Sequence, residues 1–241
     1  MYRPSNKFSL QSLLKYKFKL LKRPFSGFFI LFKKIFFNIK KPFKNSISKY
    51  DWQYIVSALL LILFFIFTDL IRAFDKESFY FLPRLISDQP YRIFTSTLVH
   101  ADSNHLLSNL GGIIITRYLL MRLGIESRFF YLKFILICSF FNFFITWIYE
   151  KILSYFFNIY PNYAALGFSG IIYALFGFLL LTSFYGKSYF LGKKIGLKSN
   201  YEVQKMLKVI CFMGLIFSFL PGVSLLGHIS GFIAGCYLFL I

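Results

Sequence analysis

Three separated stretches of this chain carry side chains that could do chemistry. Ser169 lies between glycines in GFSGIIYALFG, inside an otherwise apolar run. His228 lies in GHISGFIAG. His105 and Asn109 stand four apart in HADSNHLLSN, on one face of any helix formed there. A serine attacks carbon only when a nearby base takes its proton, and imidazole is the commonest such base. Each residue also has a plainer reading. A serine in an apolar helix often bonds its own backbone one turn back, and Gly-Phe-Ser-Gly is also a small-residue packing surface. His228 could be an interhelical hydrogen bonder or line a channel, and His105 with Asn109 could be a metal or proton site. A metal needs three or four converging ligands. Only Asp102 lies near the histidines as a further donor, so no metal and no cofactor are expected. A proton relay wants carboxylates within the spans, and Asp69 and Glu150 sit only at span ends.

The surroundings of these residues are those of a membrane. The 241 residues are 57% hydrophobic and 22% aromatic, and only 15% are charged, against about 25% in a soluble domain. The net charge of +19 does not point to nucleic acid, because the basic residues lie between apolar runs or in the first fifty residues. Cys138, Cys211 and Cys236 all lie in apolar runs and suggest no disulfide framework.

Six apolar windows are long enough to be read as spans, at about 53–71, 103–121, 130–149, 164–184, 206–221 and 223–241. Residues 1–50 hold thirteen Lys/Arg and no acid. Segment 117–133 holds four basic residues to one acid, and 186–208 holds six to one. The other loops share Arg72, Lys76, Arg84, Arg92 and Lys151. The positive-inside rule then puts both termini in the cytoplasm, and the second, fourth and sixth spans run inward. No cleavable signal peptide is expected, and 25–43 reads as a basic amphipathic segment on anionic lipid or as a basic tail.

That topology brings the reactive residues to one level. Ser169 and His228 each fall about five residues into an inward-running span, roughly 7–8 Å deep at 1.5 Å per residue. Asp102 or Ser103 suits a helix N-cap, which puts Asn109 roughly 10 Å deep.

The three motifs, in this order and on these spans, resemble the rhomboid intramembrane serine proteases over about 51–241. HADSNHLLSN is similar to the family's His-x4-His-x3-Asn. GFSGIIYALFG is similar to Gly-x-Ser-Gly-x2-Tyr-Ala, beginning at Gly167. GHISGFIAG is similar to Gly/Ala-His-x2-Gly-x3-Gly. QPYRIFTS is similar to a loop motif usually written Trp-Arg, with Tyr91 in place of Trp beside Arg92, and Met121 stands where many bacterial members carry an acid.

The resemblance implies an all-α, six-span bundle over 51–241 behind a basic N-terminal segment, 1–50. It implies Ser169 as nucleophile and His228 as base in a dyad, with Tyr173 stacked on His228. His105, Asn109 and the Ser169 N–H would form the oxyanion hole, with His100 a structural hydrogen bonder. Gly170, Gly231 and Gly235 would let the fourth and sixth helices approach closely. The implied activity is cleavage of transmembrane segments of single-pass proteins near their outer ends, in a lipid bilayer. The membrane is expected to be a bacterial plasma membrane, with an organellar one the alternative. An inactive, client-binding relative would typically lack the Ser or the His, and a transporter would favour inverted repeats or broken helices.

Overall fold

A computed structural model describes residues 50–125, 129–159, 164–185, 188–190, 193–195, 201–220 and 222–240. The proposed surface segment 25–43, with the rest of 1–49, lies outside the described residues. Among the described residues, six helices of at least fourteen residues dominate: α1 Trp52–Phe65, α2 Ser103–Arg122, α3 Phe130–Phe157, α4 Ser169–Tyr185, α5 Tyr201–Ser218 and α6 Leu225–Leu240. The strands among the described residues form one small antiparallel hairpin, β1 Ser188–Phe190 with β2 Lys193–Ile195. The chain is all-α in class.

Helix ends are set by local chemistry. Asp102 caps α2, its carboxylate accepting from the His105 N–H at 2.8 Å. The other end of α2 turns at Gly124 (φ 69°), where Gly124 N–H donates to Met121 O and Ile125 N–H to Leu120 O. The buried Gln53 of α1 accepts from the first N–H groups of α3, Tyr131 at 3.1 Å among them. Ser224 caps α6 by accepting from the Gly227 N–H at 3.0 Å, which fixes the helix start close ahead of His228.

α4 is apolar all round and is the central helix: eleven of its seventeen residues are buried. α3 and α6 instead present outward stripes of large apolar residues at helical spacing. Leu136, Phe140, Phe144 and Ile148 lie on one, and Ile229, Ile233, Tyr237 and Leu240 on the other. Exposed apolar stripes of this length suit lipid as the surrounding solvent. Among the described residues, two helical stretches, Trp52–Leu70 (α1 with the π-helical turn Ile66–Leu70) and α3, are long and apolar enough to cross a membrane. α4 and α6 are apolar but shorter.

Helix boundaries differ from the apolar windows where side chains or loops intervene. α3 runs on to Phe157, because Glu150 and Lys151 interrupt the apolar count without breaking the helix. α5 begins at Tyr201, ahead of its apolar run. Its polar first turn is held by the Glu202–Arg122 ion pair (2.5 Å) and by Gln204, which donates to the Ser183 carbonyl. α4 begins only at Ser169, so the five residues expected to precede Ser169 within the helix are not helical. Their backbone is otherwise engaged. Ala165 exchanges hydrogen bonds with Phe81, Gly167 donates to Ser96 O at 2.8 Å, and Gly167 has φ +102°.

The connection from α1 to α2 thus clamps the chain entering α4. Arg92 is the anchor of that connection. It is buried, and its guanidinium donates to Gln89 Oε1 and to the carbonyls of Glu77 and Tyr80.

Candidate active site

Ser169 is the first residue of α4, and the first N–H groups of a helix lack intrahelical acceptors. Its Oγ lies 2.8 Å from His228 Nε2, across the α4–α6 contact. That contact is close because glycines face backbone. A Cβ on Gly231 would land on the Gly170 carbonyl oxygen, and one on Gly235 would land on the Ala174 carbonyl oxygen. Gly177 meets the Phe232 carbonyl in the same way. A single methyl at these positions would wedge the helices apart.

The imidazole is held on its other edge and on one face. His228 Nδ1 lies 2.6 Å from Ser218 Oγ, at the end of α5. The Tyr173 ring stacks on the imidazole, with centroids 4.0 Å apart and planes 9° from parallel. Tyr173 fits there because Gly214 of α5 leaves room: a Cβ on Gly214 would come within 2.6 Å of the phenol oxygen. His228 and Ser218 are buried, as is the hydrogen bond between them.

A second polar group lies on the far side of Gly167. A Cβ on Gly167 would come within 2.6 Å of His105 Nε2 and 3.5 Å of Asn109 Nδ2. Asn109 is buried, and its Nδ2 has no hydrogen-bond partner among the described residues. His105 Nδ1 faces the Ala101 N–H at 3.4 Å, which leaves the Nε2 proton directed elsewhere. His100 packs edge-on against the His105 ring and bonds the Leu98 carbonyl through Nδ1 at 3.1 Å. Burial, with the neighbouring His105 second, pushes the His100 pKa down to about 4. It is therefore neutral at pH 7, and its Nδ1–H is the donor to Leu98.

A cavity of about 50 Å³ opens beside Ser169 and His228. Phe81, Phe143 and Leu166 supply apolar wall, and Ser139, Asn142 and Thr146 of α3 supply polar wall. The α3 side is tied to α6: Ser230 donates to Asn142 Oδ1 and lies 3.4 Å from Thr146 Oγ1.

Ser169, His228, Tyr173, Gly170, Gly231 and Gly235 therefore meet at one helix junction, and His105, Asn109, Gly167 and His100 adjoin it. Arg92 is not among them and holds the preceding loop instead. Sequence reasoning missed Ser218, Gly214, Gly177 and the Asn142–Ser230 link. The signal for the first two was present, as a Gly-x3-Ser pair of small residues in an apolar helix.

Residues 87–241, more than half of the chain, match the protein-family model described as the Rhomboid domain. The chain belongs to the rhomboid family. A comparison with curated proteins finds no match. Family membership makes the protein an integral membrane protein. Rhomboids are typically serine intramembrane proteases, acting on membrane proteins within the bilayer. In this rhomboid the matched segment holds every residue of the Ser169–His228 junction and of the His105–Asn109 group.

Proposed function

We infer that this rhomboid is a serine endopeptidase that cuts the transmembrane segment of single-pass membrane proteins near its outer end. The observation that carries the reading is the 2.8 Å contact between Ser169 Oγ and His228 Nε2, with an amide donor on Asn109 nearby that has no partner among the described residues.

The chemistry runs in two halves. His228 Nε2 takes the Ser169 proton as Oγ bonds to the scissile carbonyl carbon, and the carbonyl π pair moves to oxygen. Asn109 Nδ2, His105 Nε2–H and the Ser169 N–H at the α4 terminus stabilise that oxyanion, aided by the positive end of the helix dipole. The tetrahedral carbon then expels the amine, which takes its proton from His228 Nε2–H, and the acyl ester remains on Ser169. Water repeats the sequence: His228 takes its proton, the ester C–O bond breaks, and Ser169 regains its hydrogen as the new carboxyl terminus leaves. The polar side of the cavity, Ser139, Asn142 and Thr146, offers that water hydrogen bonds where lipid offers none.

All six long helices cross the bilayer in this reading, with both termini in the cytoplasm and the site toward the outside of a bacterial plasma membrane. α4 and α6 are 17 and 16 residues long, roughly 24–26 Å at 1.5 Å per residue.

A fluorophosphonate probe tests the nucleophile. Labelling should map to Ser169 and vanish in Ser169→Ala and His228→Ala; labelling that persists in Ser169→Ala points to another serine. A reporter fused at residue 241 that reads outside the cell would overturn the orientation.

A further inference from the structure

We propose that Ser218 is a positioning residue for the dyad, selecting the His228 tautomer that can act as a base; this rests on the peptidase reading above. Ser218 Oγ has one hydrogen and two close partners, the Gly214 carbonyl at 2.8 Å and His228 Nδ1 at 2.6 Å. A carbonyl can only accept. If His228 carries its proton on Nδ1, it donates to Ser218, Ser218 donates to Gly214 O, and Ser169 donates to the free Nε2. All three contacts are then hydrogen bonds. If the proton sits on Nε2, Ser218 must turn its hydrogen to Nδ1. Two oxygens then face each other at 2.8 Å with no proton between them, and Ser169 faces an N–H that cannot accept. The first arrangement satisfies every buried group and leaves Nε2 basic. The second still pairs both ring nitrogens, but it leaves the Ser218 and Gly214 oxygens in contact without a proton and gives Nε2 no lone pair for the Ser169 proton.

The same contact serves the charged state. When His228 takes the Ser169 proton, both ring nitrogens carry hydrogen, and Ser218 Oγ already accepts from Nδ1. A hydrogen bond from a charged donor is stronger than a neutral one. A carboxylate could do this as well, but in lipid it would have to be buried with its charge. Ser218 is 2% exposed, and a hydroxyl there costs far less to bury. The Tyr173 phenol, 3.4 Å from Ser218 Oγ, closes the same pocket from the stacked face. Three helices therefore fix one imidazole: α4 through Tyr173, α5 through Ser218, and α6 through its own backbone.

The test uses the full-length protein in liposomes with a transmembrane peptide substrate. Ser218→Ala should lower kcat by about ten- to a hundredfold, the range expected for one hydrogen bond to a charged group. KM should stay within about twofold, and Ser218→Thr, which keeps the hydroxyl, should restore most of kcat. Histidine 15N spectra give a readout independent of turnover. His228, assigned by its absence in His228→Ala, should show a protonated Nδ1 and a bare Nε2 in the wild type, and Ser218→Ala should shift the population toward Nε2–H. Full kcat and an unchanged His228 spectrum in Ser218→Ala, beside an inactive Ser169→Ala, would overturn the proposal alone. Equal loss in Ser218→Ala and Ser218→Thr with an unshifted spectrum would also overturn it, since the role would then be packing. Cleavage that survives Ser169→Ala would overturn the peptidase reading, and this proposal with it.

Discussion

The two polar groups on either side of Gly167 are built on opposite plans. Around His228, both ring nitrogens have partners at 2.6 and 2.8 Å. Around Asn109, an amide is buried with a donor that nothing among the described residues accepts. A buried unsatisfied donor costs stability, and native structures hold few of them. The contrast is understandable if the first group must be ready before substrate arrives and the second must meet a charge that exists only during reaction. A proton acceptor needs its tautomer fixed in the resting state. An oxyanion donor gains most when its first good acceptor is the oxyanion.

Breaking the satisfied side should have the largest effect. His228→Ala should lower kcat by at least about a thousandfold, because removing a member of a nucleophile–base pair leaves only binding and oxyanion stabilisation. Stopped cleavage assays on a folded variant check this, and a loss below tenfold would show that the base lies elsewhere.

The unsatisfied side should give the sharper contrast. Asn109→Ala should lower kcat by about a hundred- to a thousandfold, the usual worth of one oxyanion donor. Its Tm should stay level or rise, because the variant removes a buried donor that has no partner among the described residues. A large drop in Tm with little change in kcat would make Asn109 a structural residue and erase the difference between the two groups.

Geometry should matter next. Gly235→Ala pushes a methyl onto the Ala174 carbonyl, and overpacking of this kind costs roughly 1–3 kcal/mol. Both Tm and kcat should fall together, because the same helix contact holds Ser169 against His228. Tm falling alone would mean the dyad tolerates a wider helix separation.

The smallest effect concerns His100. Its folded pKa of about 4 lies below the ordinary 6.5, so between those values the unfolded chain binds more protons than the folded one. Its stabilising contribution is full above pH 6.5 and is lost as pH falls toward 4. Thermal unfolding in detergent should show His100→Gln with a shallower decline of Tm across that window than the wild type. An identical slope would mean that protonation of His100 is not resisted by the fold.

Much of this arrangement was legible in the chain, and the exceptions have physical causes. The helices declared themselves because lipid demands continuous apolar runs. Ser169, His228 and the glycines around them stood out as polar or small residues within such runs. The start of α4 was misjudged because residues 164–168 are apolar enough for a helix. Their hydrogen bonds go to Phe81 and Ser96, partners more than sixty residues away in sequence that periodicity does not register. Ser218 was overlooked for a similar reason. Its own helix satisfies it at Gly214, and its second contact depends on how α5 ends against α6.

The central claim is that Ser169 and His228 together hydrolyse a peptide bond within the membrane, and cleavage of a transmembrane substrate in liposomes tests it most directly. The wild-type protein should release two fragments cut near the outer end of the segment, and Ser169→Ala, equally folded, should release none. Equal cleavage by both proteins, or binding of the substrate without any cleavage by the wild type, would contradict it.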